Sequence, residues 1–208
     1  MTAPQHGIVP DTAARRARAA LAPLARGLAR AGITPNAVTV AGLVLSLAGA
    51  LLVVTAGPGP GFVVLALGAI ADSLDGQLAR LSGRASVFGS FLDSTLDRVS
   101  DAAPLLAAAV VGAHARDDAL LGVALWAIVV SSLVPYARAK AESLGLTAAV
   151  GLAPREARTA LVVLGVALWW LSGDARAFTI AIAGTAALAT ITVLQRIAYV
   201  ARQDARNT

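Results

Sequence analysis

The sequence predicts an all-α integral membrane bundle of six transmembrane helices with an N-terminal interfacial amphipathic helix. Three observations carry this. The chain of 208 residues is 57% hydrophobic and 14% charged, with a mean hydropathy of +0.74. Its apolar residues are gathered into long blocks. Its basic residues are gathered on one side of those blocks.

A helix needs about 20 residues to cross the hydrocarbon core of a bilayer. Extending each block by its weakly polar flanks gives spans near 36–56, 60–81, 88–113, 118–141, 156–172 and 177–200. No β-barrel alternation appears, and helices satisfy their own backbone groups in lipid. Of 17 Lys and Arg residues, only Arg116 and Arg176 fall in the loops after the third and fifth spans. The positive-inside rule therefore puts both termini in the cytoplasm of a cell-membrane protein. The charge of +5 reads as orientation rather than nucleic-acid binding. Trp169 and Trp170 close the fifth span on the outer side, and Ala56–Gly61 makes an outer turn. Pro104 and Pro135 are candidate kinks. Cysteine is absent, which excludes disulfides, thiolate metal sites and a cysteine nucleophile.

Before the first span, Leu21, Leu24 and Leu28 recur at helical spacing beside Arg18, Arg26 and Arg30. A helix lying on the inner leaflet fits this pattern, with Pro23 a candidate kink. The chain thus divides into a cytoplasmic N-terminal segment (1–33), a six-helix membrane domain (34–202) and a cytoplasmic tail (203–208).

Against this background, five aspartates lie between residues 72 and 101. Each ionised Asp in a span costs about 2.5–3.5 kcal/mol on insertion scales. Asp72 and Asp75 are three apart and Asp93 and Asp97 four apart, so each pair shares a helix face. The two faces are the inner halves of consecutive antiparallel helices and are expected to meet. Arg80, Arg84 and Arg98 can offset part of the charge. Divalent cations do so better, because clustered hard oxygen ligands suit Mg²⁺, Mn²⁺ or Ca²⁺. Two such ions clamp a diphosphate and stabilise displacement at phosphorus. Gly76 lets a phosphate approach the backbone beside Asp75, and Arg80 is placed to hold one. The plainer alternative is a packing seam of Asp–Arg pairs, with Asp101 structural or supporting. His6 in the tail and His114 on the outer side are not candidate catalysts.

The pattern Asp72-x2-Asp75-Gly76-x2-Ala79-Arg80-x8-Gly89-x3-Asp93-x3-Asp97 resembles, at every specified position, the signature of the CDP-alcohol phosphotransferase family. The resemblance implies six transmembrane helices, a homodimer, and two divalent cations, Mg²⁺ or Mn²⁺, held by Asp72, Asp75, Asp93 and Asp97. It implies CMP as leaving group and Asp97 as the base that deprotonates the acceptor hydroxyl. A metal-bound carboxylate is a weakened base, which suffices where the hydroxyl is itself polarised by metal. Gly76, Arg80 and Ser86 are expected to contact CDP-diacylglycerol. Thr34, Pro35, Asn36 and Ala37 resemble the family's other nucleotide-contacting segment; without the family, Pro35-Asn36 is a helix start with Asn as cap.

The second half bears on the acceptor. Arg138 and Lys140 end the fourth span, Arg155 and Arg158 open the fifth, and Arg196 lies at the inner end of the sixth. Attraction to the inner leaflet alone accounts for about 1 kcal/mol each. Five cations converging on one cavity suit a phosphorylated polyol. FGSFLDSTLDRVSDA, YARAKAESLGL, RxxR and LQR resemble the family's actinobacterial phosphatidylinositol phosphate synthases. That likeness implies inositol 1-phosphate as acceptor, its phosphate held by Arg155, Arg158, Arg196 and Arg138. Pro135, Pro154 and Ala157 depart from that group's usual residues and leave the polyol subsite open. The alternatives are phosphatidylglycerophosphate synthesis from glycerol 3-phosphate, a cardiolipin-forming activity and, in another class, a cation transporter lined by intramembrane aspartates.

Overall fold

The structure, a computed structural model, describes residues 11–207, with side chains from 19 to 205. His6 and the Arg18 side chain lie outside the described residues. Seven helices follow one another: α1 (Asp11–Arg30), α2 (Pro35–Thr55), α3 (Pro58–Ser82), α4 (Val87–Ala115), α5 (Asp118–Ser143), α6 (Arg155–Ser172) and α7 (Arg176–Asn207). There is no strand among the described residues. Local chemistry sets the boundaries. Thr34 caps α2, its Oγ1 accepting from Ala37 N at 3.2 Å, and Pro35 supplies the preset φ of a first helical position. The expected cap, Asn36, lies one residue inside the helix. Ser86 caps α4 (Gly89 N donating at 2.9 Å), and Asp117 caps α5 (Leu120 N at 2.9 Å). Gly83 stops α3 at φ +64, a left-handed conformation that glycine adopts without penalty.

Helices α2 to α7 close into a ring in which neighbours pack in the order α3, α2, α4, α5, α7, α6 and back to α3. Small residues permit the tightest of these approaches. A Cβ on Gly49 would lie 2.7 Å from the Leu65 backbone nitrogen, and one on Gly61 2.9 Å from that of Val53. The interior is accordingly alanine-rich, with Ala107, Ala108, Ala124 and Ala127 buried around Leu105 and Phe178. Many large apolar side chains point outward: Leu51, Leu171 and Ile180 are 62%, 76% and 72% exposed. Small inside and greasy outside is the inverse of a water-soluble bundle.

By length and composition, four helices can cross a membrane: α2, α3, α5 and most of α7. The sequence predicts six spans. The difference lies in α4, which carries Asp93, Asp97, Arg98 and Asp101, and in the 18-residue α6, which opens with Arg155, Glu156 and Arg158. Their polar ends build the site described below. The expected boundary at residue 202 falls inside α7. Helix α1 packs on α3. Its buried side is Leu21, Ala25 and Leu28, against Val38, Leu74 and Leu78, while Leu24 is 50% exposed. Leu21 and Leu28 thus face the bundle and Leu24 faces away from it.

The segment between α5 and α6 is tied to α7. Gln195 Oε1 accepts from Leu152 N at 2.9 Å. Arg196 Nε donates to Val150 O at 2.9 Å, and its Nη1 to Val134 O. These bonds fix where α6 begins, and so where Arg155 and Arg158 emerge.

Candidate active site

Helices α3 and α4 are consecutive, but they are not packed side by side; α2 lies against both, and α6 against α3. The aspartates therefore face each other across a gap rather than across a packed seam. Asp72, Asp75 and Asp93 each present one carboxylate oxygen such that all three lie within 4.8 Å of one another. Three hard anionic oxygens so placed fit a divalent cation. Asp97, one turn beyond Asp93, is outside this triple. It is 8% exposed and lies 3.1 Å from Arg155 Nη1.

Two features near the cluster go unnoticed in the sequence. Thr39 donates its hydroxyl to Asp75 Oδ2 at 2.8 Å, which fixes that buried carboxylate. Its signal is a lone hydroxyl one turn after Pro35 in an otherwise apolar stretch. The second is the source of countercharge. Arg80, Arg84 and Arg98 are the sequence candidates, but Arg98 donates Nε to its own helix at Ser94 O (3.0 Å). Among the described residues, the ion pairs of the cluster all run to Arg155. Its Nη1 contacts both oxygens of Asp72 at 2.7 Å, and its Nε meets Asp101 Oδ1 at 2.8 Å. Asp101 thus has the supporting role open to it in the sequence. The packing-seam alternative is met in part, by a cation from a third helix.

Beside the cluster lies a small open cavity of ≈ 50 Å³, bordered by Asp72, Asp101, Arg155 and Arg158 and by Ser131 and Thr185. Arg158 is 5% exposed. Its Nη1 and the Ser131 hydroxyl are buried without a hydrogen-bond partner. Buried unpaired donors are costly, so their convergence on one cavity marks it as a place for a polar or anionic guest. Ser131 stands one turn before Pro135 on α5. Five cations are expected here, and two line the cavity. Arg138 instead pairs with Glu142 at 2.8 Å on the surface, Lys140 is exposed, and Arg196 bonds backbone carbonyls.

The expected nucleotide segment flanks the other side. A Cβ on Gly89 would come 3.1 Å from Asn36 Oδ1 and 3.0 Å from Ser86 Oγ, so the first turns of α2 and α4 abut. Above Gly76, only the Arg80 guanidinium comes near the site of an added Cβ, at 3.6 Å. This leaves an open backbone surface with one cation beside it. Thr34 and Pro35 serve as cap and first helical residue, with Ala37 donating to the cap. His114 is 21 residues from Asp93 along α4, about 31 Å at the helical rise.

A helical bundle with membrane-compatible surfaces, a carboxylate triple and an arginine-lined cavity defines a membrane enzyme class that handles phosphate esters with divalent cations. A family model described as CDP-alcohol phosphatidyltransferase matches residues 32–196, and the chain belongs to that family. A phosphatidylinositol phosphate synthase of Mycobacterium marinum is 41% identical over 145 residues, covering 69% of this chain and 62% of that protein. The phosphatidylinositol phosphate synthase of Cutibacterium acnes is 38% identical over 191 residues, covering 86% and 91%. Two crystal structures of the Mycobacterium tuberculosis phosphatidylinositol phosphate synthase superpose on the fold at 34% identity and 86% coverage of this chain. The form with CDP-DAG bound has a TM-score of 0.77 and is covered over 92% of its length. The form with manganese and citrate has a TM-score of 0.78 and is covered over 88%.

Proposed function

We propose that this protein is an integral membrane transferase that moves the phosphatidyl group of CDP-diacylglycerol onto inositol 1-phosphate, giving phosphatidylinositol phosphate and CMP. The observation that carries the reading is the carboxylate triple of Asp72, Asp75 and Asp93 beside a cavity lined by Arg158, whose Nη1 has no hydrogen-bond partner. The names of the relatives, and the CDP-DAG and manganese of the solved neighbours, support it.

In this reading Asp72, Asp75, Asp93 and Asp97 hold two divalent cations, Mg²⁺ or Mn²⁺, which neutralise the diphosphate and the charge that develops on the leaving oxygen. Thr39 keeps Asp75 aimed at the gap. Gly76, Arg80 and Ser86, with Thr34, Pro35, Asn36 and Ala37, receive the CDP end of the lipid. Arg155 and Arg158 receive the acceptor phosphate, while Arg138 and Arg196 shape the rim and backbone of that subsite. Asp97 accepts the proton of the acceptor hydroxyl. The freed oxygen bonds to the phosphorus next to diacylglycerol, and that phosphorus loses its bond to the bridging oxygen, which leaves with CMP.

The same reading makes α2 to α7 six spans, with the charged ends of α4 and α6 inside the bundle rather than in lipid. It places α1 at the inner leaflet, both termini and the site in the cytoplasm, and two copies in a homodimer. The test is CMP release by purified protein with CDP-diacylglycerol and Mg²⁺ or Mn²⁺, with inositol 1-phosphate, glycerol 3-phosphate, inositol and serine offered in parallel. Release driven by inositol 1-phosphate above the others is expected. Release driven only by glycerol 3-phosphate would move the protein to another branch of the family, and cation flux without CMP would remove it from enzymology.

A further inference from the structure

We propose that Arg155 is the resident counter-ion of the carboxylate cluster, and that a divalent cation and the Arg155 guanidinium exchange at Asp72. This rests on the reading of the cluster as a cation site. Nη1 faces both oxygens of Asp72 at 2.7 Å. Asp72 is also one of the three residues whose oxygens converge within 4.8 Å. A cation bound by that triple must share or take the carboxylate that Arg155 now holds. The other end of the guanidinium is held elsewhere: Nε meets Asp101 at 2.8 Å, and Asp101 is not part of the triple. Arg155 can therefore release Asp72 while staying anchored.

The position of Arg155 argues against a merely structural role. It is the first residue of α6, after the Pro154 cap. A cation at the positive end of a helix is unfavourable by itself, so the acidic cluster is what holds it there. It bridges α3, α4 and α6 at the place where α3 and α4 lack direct packing. Without a cation, it keeps two facing sets of carboxylates from repelling one another apart. Once cations take up Asp72 and Asp97, from which Nη1 also lies 3.1 Å away, Nη1 is free to turn to the cavity that Arg155 already lines beside Arg158 and Ser131. Cation loading and anion recognition are coupled through one side chain.

Mn²⁺ binding to the purified full chain, read by the electron paramagnetic resonance signal of free Mn²⁺, tests this without turnover. Binding by the wild type tests the cation site itself, and its absence overturns that reading and the exchange with it. If wild type binds, the variants decide. Arg155→Met is expected to bind Mn²⁺ about tenfold or more tightly, because a competing unit charge at contact distance is gone. Arg158→Met removes the same charge without contact to the triple and is expected to change affinity by about threefold or less. The rise in Tm caused by Mn²⁺ is expected to be larger for Arg155→Met than for wild type. Should Arg155→Met not fold without metal, Arg155→Lys keeps the charge but cannot span three carboxylates, and it too is expected to bind Mn²⁺ more tightly than wild type. Affinity in the Arg155 variants equal to or weaker than wild type, or matched by Arg158→Met, overturns the exchange.

Discussion

At residue scale, the account assigns separable jobs to side chains a few ångströms apart. Asp97→Asn is expected to keep CDP-diacylglycerol binding while CMP release falls by about a hundredfold or more, the range for loss of a general base; near-normal release removes that role. Arg158→Ala should raise the acceptor KM far more than the CDP-diacylglycerol KM, and equal effects on both would deny a separate acceptor subsite. Thr39→Val keeps the shape but leaves Asp75 without its 2.8 Å donor. It should weaken Mn²⁺ binding by roughly tenfold to a hundredfold, as loss of a partner that orients a metal-ligating carboxylate does. The aspartates were legible because four carboxylates in an oily chain demand an explanation. Thr39 and Ser131 were not, because a single hydroxyl in an apolar helix bonds its own backbone as readily as a distant partner. Arg155 was legible as a cation near the site. Its pairing with Asp72, Asp97 and Asp101 was not, since three helices must meet before it exists.

At the scale of elements, the close approach of α2 and α3 sets the geometry of the gap. Gly49→Ala drives a Cβ to 2.7 Å from the Leu65 backbone and is expected to cost about 1–3 kcal/mol, as overpacking does. Gly122→Ala on α5, where nothing lies within 4 Å of the new Cβ, should be neutral or stabilising by up to about 1 kcal/mol, from helix propensity alone. Thermal unfolding in detergent compares the two, and equal shifts would contradict the packing argument. Helix limits were readable because apolar blocks end at Pro, Gly, Ser and Asp: the first five expected spans fall within two residues of α2 to α6, while α7 runs seven residues past the expected end at 200. The Thr34 cap was missed because Thr and Asn two residues apart compete for the same position, and backbone geometry chooses. The ring order was not readable either. Sequence adjacency suggested that α3 packs on α4, whereas glycines draw α3 onto α2 and the aspartates of α3 and α4 meet without their helices packing side by side.

At the scale of the whole molecule, an outward apolar surface surrounds a polar centre lined by Asp72, Asp101, Arg155 and Arg158. Four helices declare themselves as spans by composition. Of α2 to α7, the two that do not, α4 and α6, are those whose charged ends meet at the site, whereas α3 passes although it carries Asp72 and Asp75. The clustering of 15 of the 17 basic residues on one side of the expected spans was legible in the sequence, but the order in which the helices pack came only from the packed ring. The central claim is that the gap between α3 and α4 holds divalent cations. Anomalous diffraction from crystals grown with Mn²⁺ tests it most directly. The account predicts anomalous density enclosed by Asp72, Asp75, Asp93 and Asp97; a gap without density, with Mn²⁺ absent or bound elsewhere on the protein, would contradict it.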